Sequence, residues 1–140
     1  MRPTVSEQLA GQARALTDVV APEVGDAYAA DVLEGVIATL ELLAERWTDV
    51  APFLRWDLEA TGQVLALVGI DAPSPPDDAL DLVALEARHH DVQELLVRAM
   101  AAIVEQAEAR DAAIRLFRDR ASRYPLAARP RGGFAAHAAR

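Results

Sequence analysis

The sequence predicts an all-α protein: a four- to five-helix antiparallel bundle with a long, bent last helix and an irregular basic tail. Three observations carry this expectation. Apolar residues recur at steps of three and four in every periodic segment, the spacing of one helix face. No stretch alternates as a half-buried strand does. Proline and glycine gather at a few breaks, leaving uninterrupted runs long enough for several helical turns. With 140 residues, 52% apolar and 26% charged, the chain has the size and composition of one globular domain with its own core. The expected division is a bundle over residues 1–123 and an extended or flexible basic tail over 124–140.

The first helix opens on Thr4-Val5-Ser6-Glu7, a capping box in which the Thr4 hydroxyl accepts the Glu7 amide and Glu7 reaches back. Val5, Leu9, Ala13, Leu16 and Val20 form its apolar face, and Pro22 with Gly25-Asp26 ends it. A second helix from about Ala27 to Trp47 has the apolar face Val32, Leu33, Val36, Ile37, Leu40, Leu43, Ala44 and Trp47. Glu34, Glu41 and Glu45 lie on its other side, either as a solvated face or as a docking stripe or metal ligands.

Thr48 to Pro52 is a break with proline in the next first turn, and Gly69 is a natural stop for the third helix. Trp47, Phe53 and Trp56 cluster at that corner, to fill it or to bind a partner. Pro73, Pro75 and Pro76 enforce a loop, after which Asp77 or Asp78 can cap. Leu82, Leu85, His89, Val92, Leu96, Ala99 and Ile103 then form a packing seam that resumes at Ile114 and Phe117. A run from Ala79 to about Ser122 exceeds ordinary helix length, which places a bend near Glu105–Asp111.

The charge is unevenly placed. Residues 1–109 hold 20 acidic and 6 basic side chains, whereas residues 110–140 hold 2 acidic and 8 basic ones. Such asymmetry fits a basic end that packs on its own acidic body or a second copy, or one that binds an acidic partner or ligand. The net charge of −8 disfavours general nucleic-acid binding. All 14 basic residues are Arg and Asn is absent too; the missing residue types have A-rich codons, so a GC-rich bacterial source is expected.

Several chemistries are excluded outright. The chain has no cysteine, hence no disulfide, thiolate zinc site, iron–sulfur cluster or cysteine nucleophile. No apolar run reaches membrane-span length, and the opening residues lack a signal-peptide core, so a cytoplasmic location is expected. There is no phosphate-binding Gly-Lys loop, no Gly-x-Gly-x-x-Gly after a strand, and no nucleophile-elbow context at Ser6, Ser74 or Ser122. Glu86-x-x-His89 is half of a di-iron carboxylate site, but the other half is missing. Only His89, His90 and His137 exist. Any metal would fall to Glu86 and His89; otherwise His89 is a seam histidine with one nitrogen satisfied by a polar neighbour, and His90 pairs with Glu86 or Glu94 on the surface. Arg115, Arg118 and Arg120, with Arg123 and Arg129 beyond, either grip a phosphate or carboxylate or complement the helix dipole.

The motifs Arg2-Pro3-Thr4-x-x-Glu7-x-Leu9, Val20-Ala21-Pro22-Glu23-Val24 and Val36-Ile37-Ala38-Thr39-Leu40 cover roughly the first third of the chain. Together they resemble a family of small helical bacterial proteins encoded beside aminoglycoside-phosphotransferase-like kinases and acyl-CoA dehydrogenases. That family includes the small accessory subunit of the 4-hydroxyacyl-CoA kinase of levulinate catabolism. Tyr124 echoes a family tyrosine near the end of the last helix. The chain departs from the pattern at Thr39, where the family has Asn, and at Ala121-Ser122-Arg123, where it has Asn-Pro before the tyrosine.

The resemblance implies a partner-binding subunit with no active site of its own. The expectation is therefore a non-enzyme without cofactor that supports a phosphotransferase-type kinase in acyl-CoA or hydroxy-acid metabolism. Its expected contact residues are Arg115, Arg118, Arg123, Arg129, Trp47 and Trp56. Two alternatives stand beside it: a homodimeric bundle that binds an acidic ligand through its C-terminal arginines, and a carboxylate/histidine metal enzyme.

Overall fold

The computed structural model describes residues 3–78 and 81–127. They form α1 (Val5–Ala15), α2 (Ala27–Arg46), α3 (Val50–Ala66), α4 (Leu82–Glu105) and α5 (Ala107–Arg123). No strand occurs among the described residues, so the protein is all-α, as the periodicity requires. The helices fall into two compact units, residues 3–47 and Thr48–Pro125.

The first unit is a helical hairpin. The capping box is present in full: the Thr4 amide donates to Glu7 at 2.7 Å, and the Glu7 amide donates to the Thr4 hydroxyl at 3.2 Å. These bonds satisfy amides that a helix start leaves without partners. A π turn over Leu16–Val20 and a 3₁₀ turn over Ala21–Glu23 lead out of α1. Asp26 then caps α2 by accepting the Ala29 amide at 2.8 Å. Ser6, Ala10 and Ala13 of α1 share an open surface groove with Glu41 and Ala44 of α2, so the two helices are antiparallel. Ala13 is the one fully buried residue of α1, and α2 has none.

The second unit holds the core. Leu54, Leu58, Val64 and Leu65 of α3 pack with Leu85, Val92, Leu96, Ala99 and Ile103 of α4 and with Ala109, Ala113 and Leu116 of α5. The predicted seam is therefore the buried one along α4, whereas its expected continuation at Ile114 and Phe117 is exposed and α5 packs through Ala109, Ala113 and Leu116 instead. Gly69 stops α3 through a Schellman motif. Its φ is +76°, the Ile70 amide donates to the Leu65 carbonyl and the Gly69 amide to that of Ala66. The helix cap after the proline loop is Asp81, which accepts the Ala84 amide at 2.9 Å; Asp77 and Asp78 precede it. The expected bend is a sharp break at Gln106, whose extended backbone (φ −103°, ψ 117°) separates α4 from α5.

The proline loop doubles back along α3. A Cβ on Gly62 would lie 3.7 Å from Ala72, and Arg55 donates to the Pro76 carbonyl at 2.8 Å, nearer the start of the helix. Arg88 of α4 holds the same loop at the Ser74 carbonyl, 3.1 Å away. As a result α4 sets out from the beginning of α3 and runs in the same sense, while α5 returns antiparallel to both. Arg120 accordingly meets Asp57 and Thr61, and Tyr124 meets Phe53.

Candidate functional site

Two groups of polar and aromatic side chains stand out in the second unit, one buried and one exposed. The buried group centres on Asp57, which is 1% exposed. Its position between Leu54, Leu58 and Thr61 puts a carboxylate on the inward stripe of α3. Three donors from two other helices converge on it. His89 Nε2 donates to Oδ2 at 2.7 Å and Gln93 Nε2 donates to the same oxygen at 3.2 Å. Arg120 Nε donates to Oδ1, and its Nη2 donates to the Thr61 hydroxyl at 2.6 Å. No buried side-chain polar atom is left unsatisfied among the described residues.

Burial by itself would raise the Asp57 pKa. The hydrogen bonds from His89 and Arg120, with the guanidinium charge, outweigh it and hold the carboxyl below the usual carboxylate range. The geometry is that of a clamp. A single carboxylate ties α3, α4 and α5 together, and the bonds satisfy its oxygens from within the protein.

The exposed group lies at the end of α5. The Arg123 guanidinium sits 4.6 Å above the Trp56 ring. Phe53 contacts Trp56 at a centroid distance of 5.8 Å and meets Tyr124 edge-on at 5.5 Å. Stacking fixes the cation in place while its outer side stays in water. Arg115 and Arg118 are exposed on α5 and make no hydrogen bond or ion pair among the described residues.

Of the expected contact residues, the structure thus brings Arg123 and Trp56 together and sets Arg115 and Arg118 on the same helix. Trp47 ends the first unit and is exposed. Arg129 lies outside the described residues, as do His137 and most of the expected tail. Glu86 faces solvent, whereas His89 turns to Asp57, so the two do not converge as ligands of one ion. Among the described residues no three His, Asp or Glu side chains gather in a metal-holding group. His90 pairs with Glu94 at 3.3 Å, one of its two expected partners.

Asp57, Thr61 and Gln93 are not among the sequence candidates, and Arg120 is grouped there with Arg115 and Arg118. A signal was present: Arg120 continues the buried series Ala109, Ala113 and Leu116, and Asp57 stands on an equally regular apolar stripe. Two opposite charges on two inward faces call for each other, because an unpaired buried charge is costly.

No helix among the described residues is long and apolar enough to cross a membrane. The chain matches no protein-family model, no curated protein and no solved structure.

Proposed function

We propose that this chain is a non-catalytic interaction protein that docks on an acidic surface of a larger protein through the outward face of α5. The partner that fits the sequence resemblance is a phosphotransferase-type kinase of acyl-CoA or hydroxy-acid metabolism, with this chain as its accessory subunit. The observation that carries the reading is the set of exposed arginines on α5. Arg123 is held over Trp56, and Arg115 and Arg118 make no hydrogen bond or ion pair among the described residues. Arginine is favoured at interfaces because its planar fork pairs with carboxylates while its stem packs.

Two further points support it. Asp57, His89 and Arg120 are engaged with one another between the helices. The motifs that resemble the kinase-associated family, in residues 2–40, support the kind of partner rather than the face that meets it. The test is co-purification of the chain with a phosphotransferase-type kinase of this class, at low and at physiological salt. Contacts made by exposed arginines weaken as salt rises. Absence of a complex at low salt overturns the reading.

A further inference from the structure

The apolar seam of α4 continues in sequence at Ile114 and Phe117, yet the fold leaves these two 51% and 42% exposed. They stand three residues apart on α5, and the exposed Ala121 follows Phe117 by four. That is the spacing by which one helix packs along another. The core of the unit uses a different side of α5, formed by Ala109, Ala113 and Leu116.

Two features set this row apart from scattered exposed apolar residues. The first is that its aromatic ring is held. The Arg120 guanidinium lies 5.5 Å from the centroid of Phe117, and Asp57 and Thr61 fix that guanidinium in turn. A ring already in place loses little freedom when a partner covers it. The second is the charge beside the row. Arg118 comes four residues after Ile114 and three before Ala121, next to both. Arg115 precedes Arg118 by three, and both arginines are exposed. Arg110, four residues before Ile114, stands at the start of the row and donates to the Val104 carbonyl at 3.1 Å. Against these three cations, Asp111 is the one carboxylate that helical spacing puts beside Ile114.

We infer that Ile114 and Phe117 are the apolar anchors of the α5 contact, and that the element they receive is an acidic amphipathic helix of the partner. This rests on the reading that α5 docks through its outward face, and names what meets it there. The spacing of the row selects a helix, and the arginines select carboxylates beside that helix's apolar stripe. The same face of a second copy is the wrong occupant, because it would set arginines against arginines. An aromatic anchor rimmed by arginines has the composition of a binding hot spot. The two kinds of residue then act on different rates. Exposed charges steer the encounter, whereas the buried anchors set how long the complex lasts.

The test is the binding kinetics of the chain on a synthetic helical peptide with leucine along one face and glutamate on its flanks. The control carries serine in place of each leucine, at the same charge. The amphipathic peptide should bind about tenfold or more tightly than the control. Phe117→Ala and Ile114→Ser should each speed dissociation severalfold and leave the salt dependence as it was. Phe117→Leu should keep most of the affinity. Arg118→Ala should instead slow association and flatten the salt dependence. Because Ile114 and Phe117 lie outside the core, helicity by circular dichroism should be unchanged in all of these variants. Equal binding of both peptides, no binding of either, or dissociation indifferent to Phe117→Ala and Ile114→Ser overturns the inference. Those outcomes leave the docking of α5 itself standing, since that is read from the complex with the kinase and its loss in Arg115→Ala with Arg118→Ala.

Discussion

Arg120 closes on the carboxylate of Asp57, 63 residues earlier in the chain, and with His89 locks α5 and α4 onto α3. Removing either charge while leaving the other buried is strongly destabilising. Asp57→Ala strips three donors of their acceptor. Breaking such a pair costs about 3 kcal/mol, the low end of the usual range because Arg120 and His89 keep some contact with water. Urea unfolding followed by circular dichroism measures it. The double variant Asp57→Leu with Arg120→Met should recover much of the loss, since apolar replacement of both partners avoids desolvating a charge.

The same carboxylate makes stability depend on acid. Its folded pKa is lowered, so between the folded value and the ordinary carboxylate value near about 4 the unfolded chain binds more protons. The contribution is complete above that ordinary value and is lost as pH falls through the folded one. Glu7, lowered by its bonds to Thr4, acts in the same sense at the surface. Unfolding free energy should therefore fall below about pH 4, and Asp57→Asn should flatten that fall. An unchanged slope in Asp57→Asn would show that the clamp does not set the acid sensitivity.

Stability should also differ between the two units. The second buries twelve apolar residues in one cluster; the first buries Ala13 alone. Amide exchange in α1 and α2 at low protein concentration should be faster than in α3 and α4, because opening exposes less apolar surface there. Thr4→Ala, which removes the capping box, should cost about 1 kcal/mol and speed exchange in the first turns of α1. Equal protection in α1 and α4 would contradict this division.

What the sequence reveals depends on distance along the chain. The Thr4 box, the Gly69 stop, the α4 seam and the break at Gln106 follow from contacts a few residues apart, and each lies where local chemistry puts it. The environment of His89 was also legible, as a seam histidine with a polar neighbour. The neighbour's identity was not, because Asp57 belongs to another helix and no local rule joins them. The course of the proline loop was equally hidden. Its length is compatible with an antiparallel successor to α3, but Arg55 and Arg88 hold it back along α3 and make α4 parallel. Phe53 and Trp56 do meet, as the corner cluster expects, but the further partners of that pair, Tyr124 on Phe53 and the Arg123 cation on Trp56, come from the far end of α5.

The exposed end of α5 yields a separate expectation for Arg123. Its stacking on Trp56 is partly exposed and contributes about 0.5–1 kcal/mol, so Arg123→Ala should change stability little. It should alter the Trp56 near-ultraviolet circular dichroism while leaving the far-ultraviolet helix signal intact. A large loss of stability would mean that Arg123 is a structural residue rather than a contact one.

Affinity of the chain for a phosphotransferase-type kinase of acyl-CoA or hydroxy-acid metabolism, the partner proposed above, titrated at low and at physiological salt, tests the docking of α5 most directly. The expected result is a complex that weakens as salt rises. Arg115→Ala with Arg118→Ala should weaken it further, by about tenfold or more, in a protein that folds normally. No binding at low salt, or binding indifferent both to salt and to the two substitutions, would contradict it.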